Sequence, residues 1–323
     1  MSSMDQIGAA EPSGTKRSKP ARFGRISTAM VTPFDEEGRL DLDGAIRLAR
    51  FLVEQGNDSL VLAGSTGEGS MLSDTEKVDL WKAVAEAVTC PVIANAGTND
   101  TTHSIELVKK AEQVGVEGIL AVTPYYVRPS QAGIEAHFKR IAEATNLPVV
   151  VYDIPVRTGR KVSSSTLLNL AYSVPNIVGV KDAAGDVAAS ARLLAEAPPD
   201  FELYSGDDSL TLPLLSVGGV GVIGVATHWA TPVFAQMIEA YFTGRVDEAV
   251  AFNRLLLESY AFETSEETPN PLPAKAAMRA LGLPAGQCRL PLGDAPDDLE
   301  ERAKAVMAGL GIAATGKVQE VHG

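Results

Sequence analysis

Asn176-Ile177-Val178-Gly179-Val180-Lys181 is an unbroken apolar run that ends on a lysine. A strand covered on both faces reads this way, because neither side alternates toward water. Seven similar runs accompany it: ISTAMV from Ile26, SLVLA from Ser59, PVIAN from Pro91, GILAV from Gly118, PVVVY from Pro148, FELY from Phe201 and VGVIGV from Val220. Helical patterns separate them. Ser73 and Glu76 form a capping box ahead of an apolar stripe at Val78, Trp81, Ala85 and Val88. Gly56 and Gly115 close helices that begin near Asp43 and Thr102, the second presenting Ile105, Val108 and Ala111 on one face.

Eight strand-then-helix units, with no G-x-G-x-x-G after the first strand, predict an α/β chain folded as a (β/α)8 TIM barrel rather than a doubly wound sheet. Beyond the eighth strand only helices are expected, over Pro232–Phe242, Val246–Phe262, Pro273–Leu281 and Asp297–Leu310. The expected division is a disordered arm 1–22, a barrel 23–244 that carries the active site, a small C-terminal helical domain 245–311 and a tail 312–323. The loop ETPNPLP (267–273) holds three prolines and is expected to pack back on the barrel.

Composition narrows the function classes. The chain has 323 residues, 45% hydrophobic and 21% charged, which is ordinary for a globular enzyme. A net charge of -13 repels nucleic acid and anionic membranes, so neither is an expected partner and a small molecule is. Residues 1–20 (MSSMDQIGAAEPSGTKRSKP) lack the apolar core of a secretory signal, and no stretch of about 18 apolar residues occurs, so a cytoplasmic location is expected. Cys90 and Cys288 suggest neither a disulfide framework nor zinc, and His103, His137, His228 and His322 form no ligand pattern, so no metal is assigned.

Chemistry on a barrel sits where the strands end. Lys181 leaves an apolar strand, so its amine is expected in a partly desolvated mouth, where a lowered pKa would free it to attack a ketone; the alternative is a lysine snorkelling to solvent. Gly64-Ser65-Thr66-Gly67-Glu68 offers hydroxyls and backbone amides for a carboxylate, or else simply a polar turn. Tyr126 and Tyr152 are candidate proton carriers or rim aromatics. Arg157, in the loop after the fifth strand, can clamp a carboxylate or sit on the surface. Gly218-Gly219 leaves a phosphate site open.

Taken in order, GSTGEG, VTPYY followed by RPSQ, YDIPVRTG, GVKDAAGD and SGDD resemble the dihydrodipicolinate synthases of the pyruvate-dependent aldolase superfamily, from about Phe23 to about Leu310. The lysine and the G-[ST]-T-G-E loop are shared across that superfamily, whereas Arg157 in Y-x-x-P-x-R-[ST]-G points to the synthase branch. The resemblance implies Schiff-base condensation of pyruvate with L-aspartate 4-semialdehyde, with no cofactor beyond a covalent imine on Lys181. It implies Ser65 and Thr66 on the pyruvate carboxylate, Tyr152 moving protons, Ser65 and Tyr126 completing a hydroxyl relay, and Arg157 on the second substrate. Gly206 and Ile223 join the substrate-binding set. Tyr126 would be lent by a neighbouring subunit across a tight dimer, and such dimers would pair into a homotetramer.

This sequence departs from that pattern in three places. Ser65 replaces a threonine, Gly69 stands where serine is common, and Asn95 ends the third strand in place of glycine, adding an amide near the barrel mouth. In lysine-regulated relatives an acidic residue on the third strand-to-helix loop holds the inhibitor's amine. Here the corresponding residue is His103, and Lys77 stands where a histidine is frequent, with Asp74 close by. Weak inhibition by lysine is expected. Other readings are an aldolase for a keto-deoxy sugar acid, which leaves Arg157 without a partner, a silent pyruvate-binding barrel, and a pyridoxal-phosphate enzyme using Gly218-Gly219.

Overall fold

The computed structural model describes residues 20–312, so most of the expected arm and all but the first residue of the expected tail lie outside it. Along the chain run β1 (Ile26–Ala29), α1 (Leu42–Glu54), β2 (Ser59–Leu62), α2 (Asp74–Ala85), β3 (Val92–Asn95), α3 (Thr101–Gln113), β4 (Gly118–Val122) and α4 (Gln131–Ala142). Next come β5 (Val149–Asp153), α5 (Pro155–Thr158), α6 (Ser164–Ser173), β6 (Ile177–Asp182), α7 (Val187–Glu196), β7 (Glu202–Ser205), α8 (Thr211–Ser216) and β8 (Gly221–Gly224). Five helices follow: α9 (Thr227–Phe242), α10 (Val246–Leu255), α11 (Leu257–Phe262), α12 (Leu272–Ala280) and α13 (Leu299–Gly309). The strands pair in parallel, in chain order, and β8 closes on β1. This is the predicted (β/α)8 barrel.

Local chemistry sets the helix starts. α1, α2, α3, α4, α6 and α7 each follow an Asp or Ser (Asp41, Ser73, Asp100, Ser130, Ser163, Asp186) whose side chain accepts from the backbone N–H three residues on. Each such cap is worth about 1 kcal/mol. The capping box at Ser73 and Glu76 is present as expected. Gly56 and Gly115 hold φ of 101° and 85°, a region that favours glycine just past a helix end.

Three helical expectations need correction. The buried face of α2 is Lys77, Leu80, Trp81 and Val84, while Val78, Ala85 and Val88 are only partly buried. A charged residue thus occupies a core-facing position that an apolar pattern skips. α9 begins at Thr227, five residues before Pro232. The proline costs one backbone bond, and burial of Trp229, Ala230, Val233, Phe234 and Met237 offsets it. The helix expected over Val246–Phe262 is two helices meeting at the fully buried Leu256.

Apolar side chains fill two regions. The larger lies between barrel and helices; the smaller, inside the barrel, includes Val61, Ile93, Leu120, Val150, Tyr152, Tyr204 and Ile223. Register between β5 and β6 decides what faces that interior. Val149 pairs with Ile177 but Val150 with Gly179, so Val178 is an extra residue and the ladder shifts by one. Beyond the bulge Tyr152 pairs with Lys181, and Lys181 with Tyr204. Partners in a parallel ladder face the same side, so Lys181 joins the two interior tyrosines. Asp153 and Asp182 face outward, to Lys161 at 3.2 Å and Ser190 at 2.5 Å.

Candidate active site

Lys181 is 4% exposed at the end of β6, its Nζ 4.4 Å from the centroid of the Tyr152 ring. Burial lowers its amine to about 8, opposed by the charge of Asp208; Arg157 pushes down as burial does, and Glu263 pushes up. Such an amine is partly neutral near physiological pH, as a nucleophile must be. Tyr152, also 4% exposed, is pushed up to about 12, chiefly by burial, with Arg157 and the neighbouring Ser65 side chain opposing. It holds its proton, and so can donate one.

A cavity of about 410 Å³ opens at this end of the barrel, lined by Ser65, Asn95, Tyr125, Ile154, Arg157 and Asn270 among others. Lys181 and Tyr152 are not on its surface. Ser65 and Arg157 connect the two, since both act on Tyr152. Arg157 lies exposed in the short helix α5 just after β5, where a loop was expected, its guanidinium 3.5 Å from the Asn270 carbonyl oxygen. Thr66 is buried, and its hydroxyl accepts from Asn270 Nδ2 at 2.9 Å.

Gly206 packs against Lys181: a Cβ there would crowd the lysine Cγ and Cε at 3.0 Å, so glycine leaves room for the stem. Ile223 is 1% exposed in the barrel interior with Tyr152, rather than on the cavity wall. Tyr126 stands apart. It is 88% exposed with φ of 68°, a strained backbone for tyrosine, and this chain does not bring it to Lys181. Gly218-Gly219 precedes β8, on the barrel face opposite the strand ends, and its N–H groups already donate to Leu215 and Leu214. The pair therefore has no free amides to offer a phosphate at the strand ends.

Two of the sequence's departures meet at one atom. Asn95 Nδ2 donates to the Ala63 carbonyl oxygen at 3.0 Å, and a side chain at Gly69 would overlap that same oxygen. Ala63 has φ of 55°, so Asn95 and Gly69 together accommodate a strained entry into the GSTGEG loop.

The chain's later part holds that loop from above, as expected for ETPNPLP, but through residues that the sequence pattern passed over. Lys275 of α12 places Nζ 2.6 Å from Glu68 Oε1, both side chains 0% exposed. Arg289 donates its backbone N–H to Glu68 Oε2 at 2.8 Å and grips both oxygens of Glu76, at 3.1 and 2.5 Å. Its guanidinium holds the Glu76 carboxyl down to about 2. Lys275 alone had a visible signal: one charge inside the apolar run Leu272–Met278 must be paired if buried. Removing one partner of such a pair strands the other, so Lys275→Met should lower unfolding free energy by about 3–5 kcal/mol. Denaturant titration checks this, and a Lys275→Met/Glu68→Gln double variant should recover part of the loss.

At the start of α2 and α3, His103 Nε2 meets both Asp74 oxygens at 2.9 and 3.1 Å, and Lys110 Nζ lies 3.3 Å from Asp74 Oδ2. Asp74 thus already has cationic company. Lys77 lines the cavity, its ammonium lowered by burial, with Asp74 opposing.

The comparisons with known proteins agree on kinship. The 4-hydroxy-tetrahydrodipicolinate synthase of Moorella thermoacetica is 49% identical over 90% of this chain and 99% of its own length. That of Acidothermus cellulolyticus is 50% identical over 91% and 94%. The solved structure of the lysine-bound DHDPS of Cyanidioschyzon merolae superposes with a TM-score of 0.88 at 43% identity, covering 91% of this chain and all of that one. With residues 22–309 matching the model of the Dihydrodipicolinate synthetase family, the chain belongs to that family.

Proposed function

We propose that this chain condenses pyruvate with L-aspartate 4-semialdehyde to 4-hydroxy-tetrahydrodipicolinate, the first committed step toward diaminopimelate and lysine, through an imine on Lys181 and no separate cofactor. The observation that carries the mechanism is the pairing of Lys181 with Tyr152 across the β5–β6 ladder, at a buried strand end where the amine is lowered to about 8. Lys181 attacks the pyruvate ketone. Ser65 and Thr66 hold its carboxylate, and Tyr152, next to Ser65, passes protons on and off the nitrogen and the enamine carbon. The enamine then attacks the aldehyde of the second substrate, whose carboxylate Arg157 binds. A coupled assay with both substrates tests the reaction; a keto-deoxy sugar acid accepted in place of the semialdehyde would overturn it.

Tyr126 acts in this reading from a partner subunit. Its exposure and strained backbone support a role completed outside its own chain, in a tight dimer that pairs into a homotetramer. Among the described residues no helix is long and apolar enough to cross a membrane, and the net charge of -13 disfavours nucleic acid. A biosynthetic role of this kind belongs in the cytoplasm.

Lysine should inhibit weakly. An ammonium ligand near α2 and α3 would need a free carboxylate, and Asp74 is already shared by His103 and Lys110. Half-inhibition is expected above about 1 mM, a binding free energy weaker than about −4 kcal/mol. Initial rates at saturating pyruvate across a lysine titration check it.

A further inference from the structure

Asp208 and Glu263 take no part in the chemistry so far. Asp208 is 1% exposed, in a single 3-10 turn just after β7. Its Oδ2 accepts from the Val225 N–H at 2.8 Å, past the end of β8. Its Oδ1 lies against Gly224, where any side chain would overlap it. Glu263 follows α11 and reaches inward to the same place. Asp208 Oδ1 and Glu263 Oε2 are both buried without a hydrogen-bonding partner in the protein, and each carboxyl lies close enough to act on the protonation of the other.

Two adjacent buried carboxylates resist ionising together, since burial removes the solvent that would screen each from the like charge of the other. One proton between them removes the repulsion and gives both oxygens a partner. Burial, above all, raises the Asp208 and Glu263 carboxyls, in keeping with a retained proton. A single negative charge then remains on the pair. The charged or titratable groups that face it are Lys181 of β6, Asp207 of the same turn and Tyr260 of α11. Asp207 is occupied locally, accepting from the N–H and hydroxyl of Ser209. Lys181 feels Asp208 and Glu263, which favour its charged form, and Arg157 of α5, which opposes it, while its Nζ lies 4.4 Å from the Tyr152 ring of β5.

We propose that Asp208 and Glu263 share one proton and together form the fixed counter-charge of Lys181, stabilising its cationic forms at the buried end of β6. The inference rests on Lys181 as the imine-forming amine. Imine formation from the ammonium forms an N–C bond and breaks the ketone C–O bond; the oxygen leaves as water with two of the three ammonium protons, and the iminium keeps the positive charge. The cation is therefore present before and after the step, on a side chain only 4% exposed. Arg157 cannot balance it, having the same sign. The carboxyl pair can, and sharing a proton keeps its charge at one, enough to match Lys181 without excess.

The test compares Asp208→Asn, Glu263→Gln and the double variant with the wild type, by borohydride trapping with pyruvate and by the pH dependence of kcat/KM for pyruvate. The double variant loses the charge, so its acid limb should move down by about one unit; its pyruvate imine should weaken by about tenfold at pH well above about 8, where the free amine is neutral and only the iminium needs the counter-charge, and should change little at low pH, where both states are cationic. Glu263→Gln leaves the charge on Asp208 and should move the limb less than the double variant does. Should the double variant fold poorly, difference infrared spectroscopy of the wild type against Glu263→Gln reads the shared proton directly, as a protonated-carboxyl band lost in the variant. A folded double variant with an unmoved limb, or a wild type without that band, overturns the counter-charge. Absence of any wild-type adduct on Lys181 would instead overturn the imine assignment on which it rests.

Discussion

Borohydride added together with pyruvate should leave a three-carbon adduct on Lys181, and Lys181→Ala should leave none. Only an imine gives a reducible carbon–nitrogen link, so mass spectrometry of the modified peptide identifies the nucleophile without reference to the second substrate. Condensation should fall by on the order of 10³-fold or more in Lys181→Ala, the scale expected when a covalent nucleophile is removed. The pH profile is a second check. Since Lys181 is lowered to about 8 and must lose its proton to attack, kcat/KM for pyruvate should rise as pH rises through about 8. An adduct on another lysine, or a profile that falls across that range, would remove Lys181 from the centre of the mechanism.

Arg157→Ala should spare this first half of the reaction and damage the second. The guanidinium stands on the cavity rim, tied to the protein by one long contact with the Asn270 carbonyl, and so is available to a substrate carboxylate. A charge-assisted pair of this kind is worth about 2–3 kcal/mol once the substrate covers it, or roughly 30- to 150-fold in kcat/KM for aspartate semialdehyde. Trapping with pyruvate should persist. A variant with an unchanged dependence on the second substrate would favour the sugar-acid aldolase reading, which has no use for Arg157. Arg157→Lys should recover little, because an ammonium cannot reproduce two parallel N–H donors.

The GSTGEG loop shows how much of the site lay beyond reach of local pattern. Its hydroxyls were legible as candidate ligands because glycines and hydroxyls at a strand end can form a cradle. That this loop is what Lys275 and Arg289 anchor was not. Lys275 and Arg289 reach Glu68 and Glu76 from roughly 200 residues further along the chain. Glu263 belongs to the acidic run Glu263-Thr264-Ser265-Glu266-Glu267, which reads as a solvated face until the fold turns its first member inward. Gly218-Gly219 left a phosphate site open for the related reason that a glycine pair shows a turn but not which end of the barrel carries it.

The sequence by itself determined the eight strands, the order strand then helix, and the polar residues at each strand end, because apolar runs, caps and glycines act through neighbours a few residues away. It thereby determined the closed barrel and the end of it at which the candidate residues gather. Tertiary structure alone decided which way Lys181 points. A continuous apolar strand carries no alternation to mark its inner face, and a shift of one residue exchanges inside for outside. The bulge at Val178 makes that shift, setting Lys181 opposite Tyr152 and sending Asp182 outward. Burial then followed from the register, and the lowered amine from burial. The partners of Lys181 across the mouth, Asp208 and Glu263, were likewise decided only when β7, β8 and α11 converged, since electrostatic coupling depends on distance in space and not along the chain.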